Sequence, residues 1–286
     1  MTAATPTPAP APKPRRRLAI WFGGGLALLA AMLLLALAAL LAAIHTERGS
    51  RWLWQFGTLA SSGRLAGDYA GGTLAHGLRL RALRYRDGEL ELALDRFDGR
   101  WNLQRTPLKL DIDTLRLGEV RVQLPPPGPP TAPQPPADLE LPIAFTLDQL
   151  ALERLEVRGR GAPIVIERLR LRAGSDGRHH RLTLETVDTP YGRASAQAEL
   201  DGRAPFATGG GFDLAGSRGD EKYRIAGHWS GTLEALELAL DASGDRLAGQ
   251  AQVGLAPFAP QPLLRARISA DHINPRLFAA GAPAAD

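Results

Sequence analysis

The sequence contains no cysteine and few aromatic residues. None of the 286 residues is Cys, and only 6% are Phe, Trp or Tyr. The first absence excludes disulfides and cysteine-built metal sites. The second argues against nucleic-acid binding, which uses interleaved aromatics, and a net charge of +4 does not by itself call for it. We expect no nucleic-acid partner.

Recognisable catalytic and ligand-binding motifs are missing too. His179-His180 falls in an expected hairpin turn without further ligands at metal-binding spacing. Ser195 is not in a Gly-x-Ser-x-Gly elbow. The glycines at 209–211 are not followed by the Lys-Ser/Thr of a phosphate loop, which favours a flexible loop or bulge there. We therefore predict a protein that is not an enzyme and has no metal or cofactor.

Charged residues are absent from 18–44, and this run is rich in Leu and Ala. It exceeds the about 20 residues that span a bilayer core as a helix. We therefore predict a transmembrane signal-anchor helix over 18–44. Its expected membrane-facing positions are Leu18, Ile20, Trp21, Leu26, Leu33, Leu37, Leu41 and Ile44.

The flanks of this run predict its orientation. The basic residues that precede it are Lys13, Arg15, Arg16 and Arg17. By the positive-inside tendency they keep the N-terminus in the cytoplasm and send the remainder across. In a bacterium with two membranes this predicts a single-pass inner-membrane protein with 45–286 in the periplasm. A cleaved signal peptide, with a site at Ala36-Leu37-Ala38, remains the alternative.

Composition divides the rest of the chain. Residues 1–17 are typical of a disordered cytoplasmic tail. A first periplasmic β segment is expected over 45–124, beginning with a short helix within 45–62. Residues 125–137 (PPPGPPTAPQPPA) form a proline-rich loop, and 138–286 form a second β segment. Trp52, Trp54 and Phe56 fit either an interfacial aromatic anchor or a buried first element.

Several segments repeat one apolar pattern, in which pairs at spacing two are separated by a step of three. Leu78, Leu80, Leu83 and Tyr85 follow it, and so does a longer run that starts at Leu110. On a helix these positions scatter around the axis. On a strand they share one face if each step of three absorbs one extra residue as a β-bulge. A turn at each step is the alternative.

The predicted fold is mainly β: an elongated, curved antiparallel sheet that follows the transmembrane helix and forms a groove. Asp87-Gly88 predicts a hairpin. Further strands are expected over 181–187, 193–200, 210–215, 222–229, 233–240, 246–253 and 263–270. The candidate groove-lining residues are Leu90, Leu92, Leu94, Leu110, Ile112, Leu115, Leu117, Leu150, Leu152, Leu155, Val157, Ile164 and Ile166. The core of a closed β-sandwich is the alternative role for the same residues.

The order of these features resembles the TamB family, the inner-membrane subunits of the translocation and assembly module. A signal-anchor is followed by Gly63–Gly67 (GRLAG) and Gly77–Gly88 (GLRLRALRYRDG), and a proline-rich break precedes Leu147–Val157 (LDQLALERLEV). The likeness covers residues 18–286. Because its motifs are degenerate strand patterns, no catalytic residue is transferred with it.

The resemblance implies an AsmA-like, repeating β-groove protein of outer-membrane biogenesis. Such proteins carry phospholipid acyl chains between the membranes, assist outer-membrane protein assembly and secretion, and contact a TamA-like outer-membrane barrel. The C-terminal domain for that contact is absent here, so we expect a fragment or truncated frame. The alternative is an anchored periplasmic scaffold or chaperone-like module of another AsmA-like or secretion-system type.

Overall fold

A computed structural model gives the architecture of residues 40, 42–126, 136–159, 161–245 and 247–273. Helix α1 (Glu47–Ala60) begins at the N-cap Thr46, whose hydroxyl accepts a hydrogen bond from the Gly49 amide at 3.2 Å. It confirms the short helix expected within 45–62. The strands that follow are β1 (Leu65–Thr73), β2 (Gly77–Asp87), β3 (Leu90–Arg105), β4 (Leu108–Gln123), β5 (Ala144–Arg158), β6 (Ile164–Ser175), β7 (His179–Thr189), β8 (Gly192–Asp201), β9 (Ala207–Arg218), β10 (Glu221–Thr232), β11 (Ala235–Gly244), β12 (Leu247–Leu255) and β13 (Leu263–Ile273).

These strands form one open sheet in simple sequence order, from β1 at one edge to β13 at the other. Substantial contacts join only consecutive strands, and α1 packs on β1. Within the described ranges, no second layer of strands or helices lies on the sheet. The mainly β fold is therefore confirmed, and the sheet is continuous across the proline-rich segment that separates the two β segments.

One strand pair corrects the expected antiparallel arrangement. β4 and β5 run parallel, with Ile112 beside Leu147, Leu117 beside Leu152 and Val122 beside Val157. A tight turn would reverse the chain, whereas residues 124–143 join these strands. A proline-rich connection of this length reaches about 60 Å, more than the about 50 Å of a strand the length of β4. The chain can therefore return to the end where β4 began.

The steps of three in the apolar pattern are β-bulges within continuous strands, so the turn alternative is wrong. Between β1 and β2, Ala66 pairs with Arg84 and Asp68 with Arg81, which leaves one extra residue in β2. Ala82 lies there with φ 49°, and Arg168 occupies the equivalent step of β6 with φ 50°. The bulges keep the apolar side chains on one face.

Two turn regions have opposite outcomes. The Asp87-Gly88 hairpin is confirmed: Gly88 has φ +60° between β2 and β3. The expectation of a flexible loop or bulge at 209–211 is wrong, because Gly209, Gly210 and Gly211 pair in regular register with both β8 and β10 inside β9. Of the three, only Gly210 lies under an aromatic ring, as described below.

The predicted membrane anchor falls mostly outside the described residues. Residues 1–39, 41, 127–135, 160, 246 and 274–286 are not described. They include the basic flank and every anchor position except Ile44, whose carbonyl accepts a hydrogen bond from the Ala75 amide at 3.0 Å. Among the residues that are described, no helix is long and apolar enough to cross a membrane. The anchor over 18–44 stays a prediction.

Candidate apolar groove

The strand register places the predicted lining residues on one side of the sheet, which we call the apolar face. Leu92 of β3 is joined through Val122 and Val157 to Ile164 of β6 as one cross-strand row. Similar rows of side chains cross these strands at the other apolar positions. They lie on the same face because side chains two residues apart in a strand point to the same side. Together the rows hold Leu90, Leu92, Leu94, Leu110, Ile112, Leu115, Leu117, Leu150, Leu152, Leu155, Val157, Ile164 and Ile166.

The apolar face is concave in its middle. Leu94, Val120 and Leu152 form a buried cluster and are only 6%, 9% and 8% exposed. No second layer covers them in the described structure, so neighbouring side chains of the same face must enclose them. A flat single-layer sheet could not do this; a sheet bent around its apolar face can. The bulges supply that bend, because an extra residue kinks and twists the strand.

The apolar face opens toward its margins. Ile164 is 58% exposed and Leu103 is 48% exposed, although both share the face with the buried cluster. The lining therefore changes from enclosed in the middle to accessible at both ends of the strands. Among the described residues, no second sheet covers this face, as one would in a sandwich core.

Beyond β8 the apolar face includes three aromatic rings that lie over glycines. Trp229 lies opposite Gly210. A Cβ at Gly210 would overlap the Trp229 ring. Phe212 covers Gly227 and Tyr223 covers Gly216 in the same way. Sequence reasoning missed these pairs. The alternation of Gly and aromatic residues in GGGF and in GHW was the available signal, but it becomes informative only once the register is known.

The opposite face of the sheet is charged. Side-chain ion pairs cross the strands at the level of the bulges: Arg96 with Glu153 at 2.6 Å and Arg154 with Glu167 at 2.7 Å. Asp188 accepts a hydrogen bond from Arg193 at 2.9 Å, and this partner holds the pKa of Asp188 below its usual range. Exposed pairs of this kind stabilise a fold little, but they mark the face that water covers. The alternating arginines of β2 also lie on this face and are exposed: Arg79, Arg81, Arg84 and Arg86.

A polar clamp fixes the chain where it rejoins the sheet after the proline-rich segment. The Leu139 amide donates to the Gly202 carbonyl at 3.0 Å, and the Leu141 amide donates to the Gly177 carbonyl at 2.7 Å. Arg178 binds both carboxylate oxygens of Asp201, at 2.9 and 2.7 Å. These contacts tie residues 139–141 across the turns between β6 and β7 and between β8 and β9.

The two adjacent histidines belong to this clamp. His179 Nδ1 lies 2.9 Å from an Asp176 carboxylate oxygen, and His180 Nε2 lies 2.9 Å from the Leu139 carbonyl. Hydrogen bonds from His179 and Arg178 keep the pKa of Asp176 well below its usual range. Across the described part of the chain, no three His, Asp or Glu side chains are grouped as metal ligands. The histidines have local structural partners at the start of β7.

The candidate site is thus a long apolar face, open at its margins and backed by a charged face. Such a surface can hold flexible apolar chains by non-directional contacts. Comparison with protein-family models, with curated proteins and with solved structures found no match.

Proposed function

We propose that this protein is a TamB-like, inner-membrane-anchored β-groove protein that moves phospholipid through the periplasm toward the outer membrane. The observation that supports it is a continuous apolar face on a single open sheet. A solitary soluble protein seldom exposes an apolar patch of more than a few hundred Å². Acyl chains are the occupant that such a lining suits, because they need no directional polar contacts.

The dimensions of the sheet agree with this occupant. Thirteen strands at about 4.8 Å spacing give a path of about 60 Å. One leaflet of a bilayer core is about 15 Å thick, so the face has room for several acyl chains in succession. The predicted anchor would keep the β1 end of this path beside the inner membrane, where phospholipid is available. Contact with a TamA-like outer-membrane barrel and a part in protein assembly are further elements of the TamB-like proposal.

An added charge on the apolar face tests the proposal. Ile112→Asp places a carboxylate on the half-buried lining between Trp101 and Leu147. Thr114→Asp adds the same charge to the opposite face beside Arg100 and is the matched control. We expect full-length Ile112→Asp from a membrane-containing bacterial host to keep its β-sheet circular dichroism. We also expect it to co-purify with less phospholipid per chain than wild type or the control.

The lipid held around the predicted anchor is common to all three proteins, so the difference reports on the groove. Unchanged lipid content in Ile112→Asp would contradict the proposal. Global unfolding of Ile112→Asp alone would point to a closed core, because an unpaired buried charge is costly.

A second candidate function is binding of extended polypeptide by an anchored scaffold. The strand β13 favours it, because it has no further neighbouring strand among the described residues and its Leu264 and Ile268 are 62% and 70% exposed. An extended peptide can add to such an edge as a further strand. Capture of an unfolded outer-membrane protein by the full chain, with no co-purified groove lipid, would favour this function over lipid transport.

A further inference from the structure

Helix α1 has one side that is held firmly against the sheet. Ser50 is fully buried, and its hydroxyl oxygen accepts a hydrogen bond from the Leu74 amide at 3.0 Å. The Trp54 indole donates to the Gly67 carbonyl at 3.0 Å. Glu47 adds a contact from its carboxylate to the Gly72 amide at 3.1 Å. The orientation of α1 relative to β1 is therefore fixed by several polar contacts.

The opposite side of α1 is apolar and exposed. Trp52, Phe56 and Leu59 are 60%, 59% and 80% exposed. Their spacing of four and three residues puts them on one face of the helix, about opposite Ser50 and Trp54 at about 100° per residue. The Trp52 and Phe56 rings stack with centroids 5.7 Å apart. We call these three residues the α1 stripe. The two roles considered for the tryptophans are thus divided: Trp54 is packed inward and Trp52 faces outward.

The position of α1 in the chain indicates what covers the stripe. The uncharged run over 18–44 ends three residues before α1 begins at Glu47. If that run spans a bilayer, at about 1.5 Å per helical residue α1 starts within a few ångström of the membrane surface. Arg48, one turn before Trp52, is exposed on the same side of the helix. Trp and Phe above a bilayer core with Arg at the phosphate level are typical of a helix that lies in the interface.

We propose that α1 lies flat in the interface of an anionic bilayer, with the α1 stripe immersed and Arg48 at the lipid phosphates. The proposal rests on the membrane anchor of the proposed function and adds a second, independent contact with the lipid. Because α1 is fixed to β1, this contact would hold the β1 edge of the groove against the membrane surface. The rigid docking, rather than the anchor alone, would set the angle at which the groove leaves the bilayer.

The absence of cysteine makes the stripe directly testable in the full chain. A single Leu59→Cys variant carries an environment-sensitive fluorophore in the stripe. Gln252→Cys, exposed on β12, carries it far from α1 as the control. Both labelled chains are reconstituted into vesicles of phosphatidylethanolamine and phosphatidylglycerol, and flotation is scored separately. We expect the label at 59 to be blue-shifted, quenched by brominated lipid, and quenched by aqueous iodide severalfold less than the label at 252.

A second substitution tests whether the stripe itself causes this immersion. In the Leu59→Cys background, we expect Phe56→Asp to increase the quenching of the label at 59 by aqueous iodide. The conservative Phe56→Leu should leave this quenching unchanged. Both variants should keep the β-sheet circular dichroism of the parent, because position 56 faces away from β1. A label at 59 that stays buried in lipid despite Phe56→Asp would contradict the role of the stripe.

The outcomes separate this proposal from the proposed function. A chain that floats while the label at 59 remains as open to iodide as the label at 252 overturns the interfacial helix and leaves the anchor intact. A chain that does not float overturns the anchor and the interfacial helix together. Protection from iodide without quenching by brominated lipid would show that protein covers the stripe, and it would overturn the proposal too.

Discussion

Aromatic rings of the apolar face determine where glycine is required. Gly210 faces the Trp229 ring on one side and the Gln197 carbonyl on the other, and a Cβ there would overlap both. At Gly209, one position earlier, a Cβ would meet only the Trp229 carbonyl oxygen at 3.6 Å, an ordinary contact distance. Of these two adjacent glycines, only Gly210 is therefore required by close packing.

We expect Gly210→Ala to lower the free energy of unfolding by about 1–3 kcal/mol, the usual cost of overpacking. Gly209→Ala should be neutral or should raise the free energy of unfolding by about 0.4–1 kcal/mol, because alanine restricts the unfolded chain. Urea unfolding of the two variants measures the difference. Equal effects at the two positions would show that the Trp229 ring does not lie over Gly210.

At the scale of single elements, the bulges turn a broken apolar pattern into one lining. Ala82 and Arg168 adopt positive φ where the pattern takes its step of three. A left-handed residue with a Cβ costs roughly 1–2 kcal/mol. The two bulges keep Leu78, Leu80, Leu83 and Tyr85 of β2, and Ile164, Ile166, Leu169 and Leu171 of β6, on one face despite this cost.

Ala82→Gly relieves that backbone cost, partly offset by the about 0.5–1 kcal/mol of extra chain entropy that glycine loses on folding. We expect the free energy of unfolding to rise by up to about 1 kcal/mol. Ala93→Gly, in regular extended backbone of β3, should lower it by about 0.5–1 kcal/mol. Denaturant unfolding of the two variants measures both changes in the free energy of unfolding. A loss of stability in Ala82→Gly would argue against a left-handed bulge.

The polar clamp gives a second element-scale expectation, which concerns pH. Arg178 holds the pKa of Asp201 well below its usual range. A carboxyl whose pKa is lower in the folded state than in the unfolded state stabilises the fold above the unfolded pKa, about 3.9. That stabilisation is lost as the pH falls further toward the folded pKa. The clamp should therefore weaken below about pH 4.

Asp201→Asn tests this directly. We expect the amides of Leu139 and Leu141 in wild type to become less protected from hydrogen exchange when the pH is lowered from neutral to below 4. In Asp201→Asn these amides should be less protected at neutral pH already and should change less on acidification. If the protection of these amides changed identically with pH in both proteins, Asp201 would not be the group that controls the clamp.

At the scale of the whole molecule, local patterns predicted much of the sheet but not its path. The pattern from Leu78 to Tyr85, and its repeats, sufficed to predict bulged strands with a common face, because side-chain alternation is a local property. The direction of β5 could not be predicted, since residues 124–143 are long enough to return the chain to either end of β4. The side of α1 that packs on the sheet could not be predicted either. Residue spacing shows that the helix has two apolar sides, but it does not show which of them contacts the sheet.

Photo-crosslinking on the two faces of β3 tests the central claim, an open groove that holds lipid, most directly. Phe97 lies on the apolar face beside Trp101, whereas its neighbour Arg96 is exposed on the charged face and pairs with Glu153. With p-benzoylphenylalanine at either position in the full chain, in living bacteria, we expect a phospholipid adduct at 97 and none at 96. Absence of lipid at 97, or equal lipid at both positions, would contradict the account.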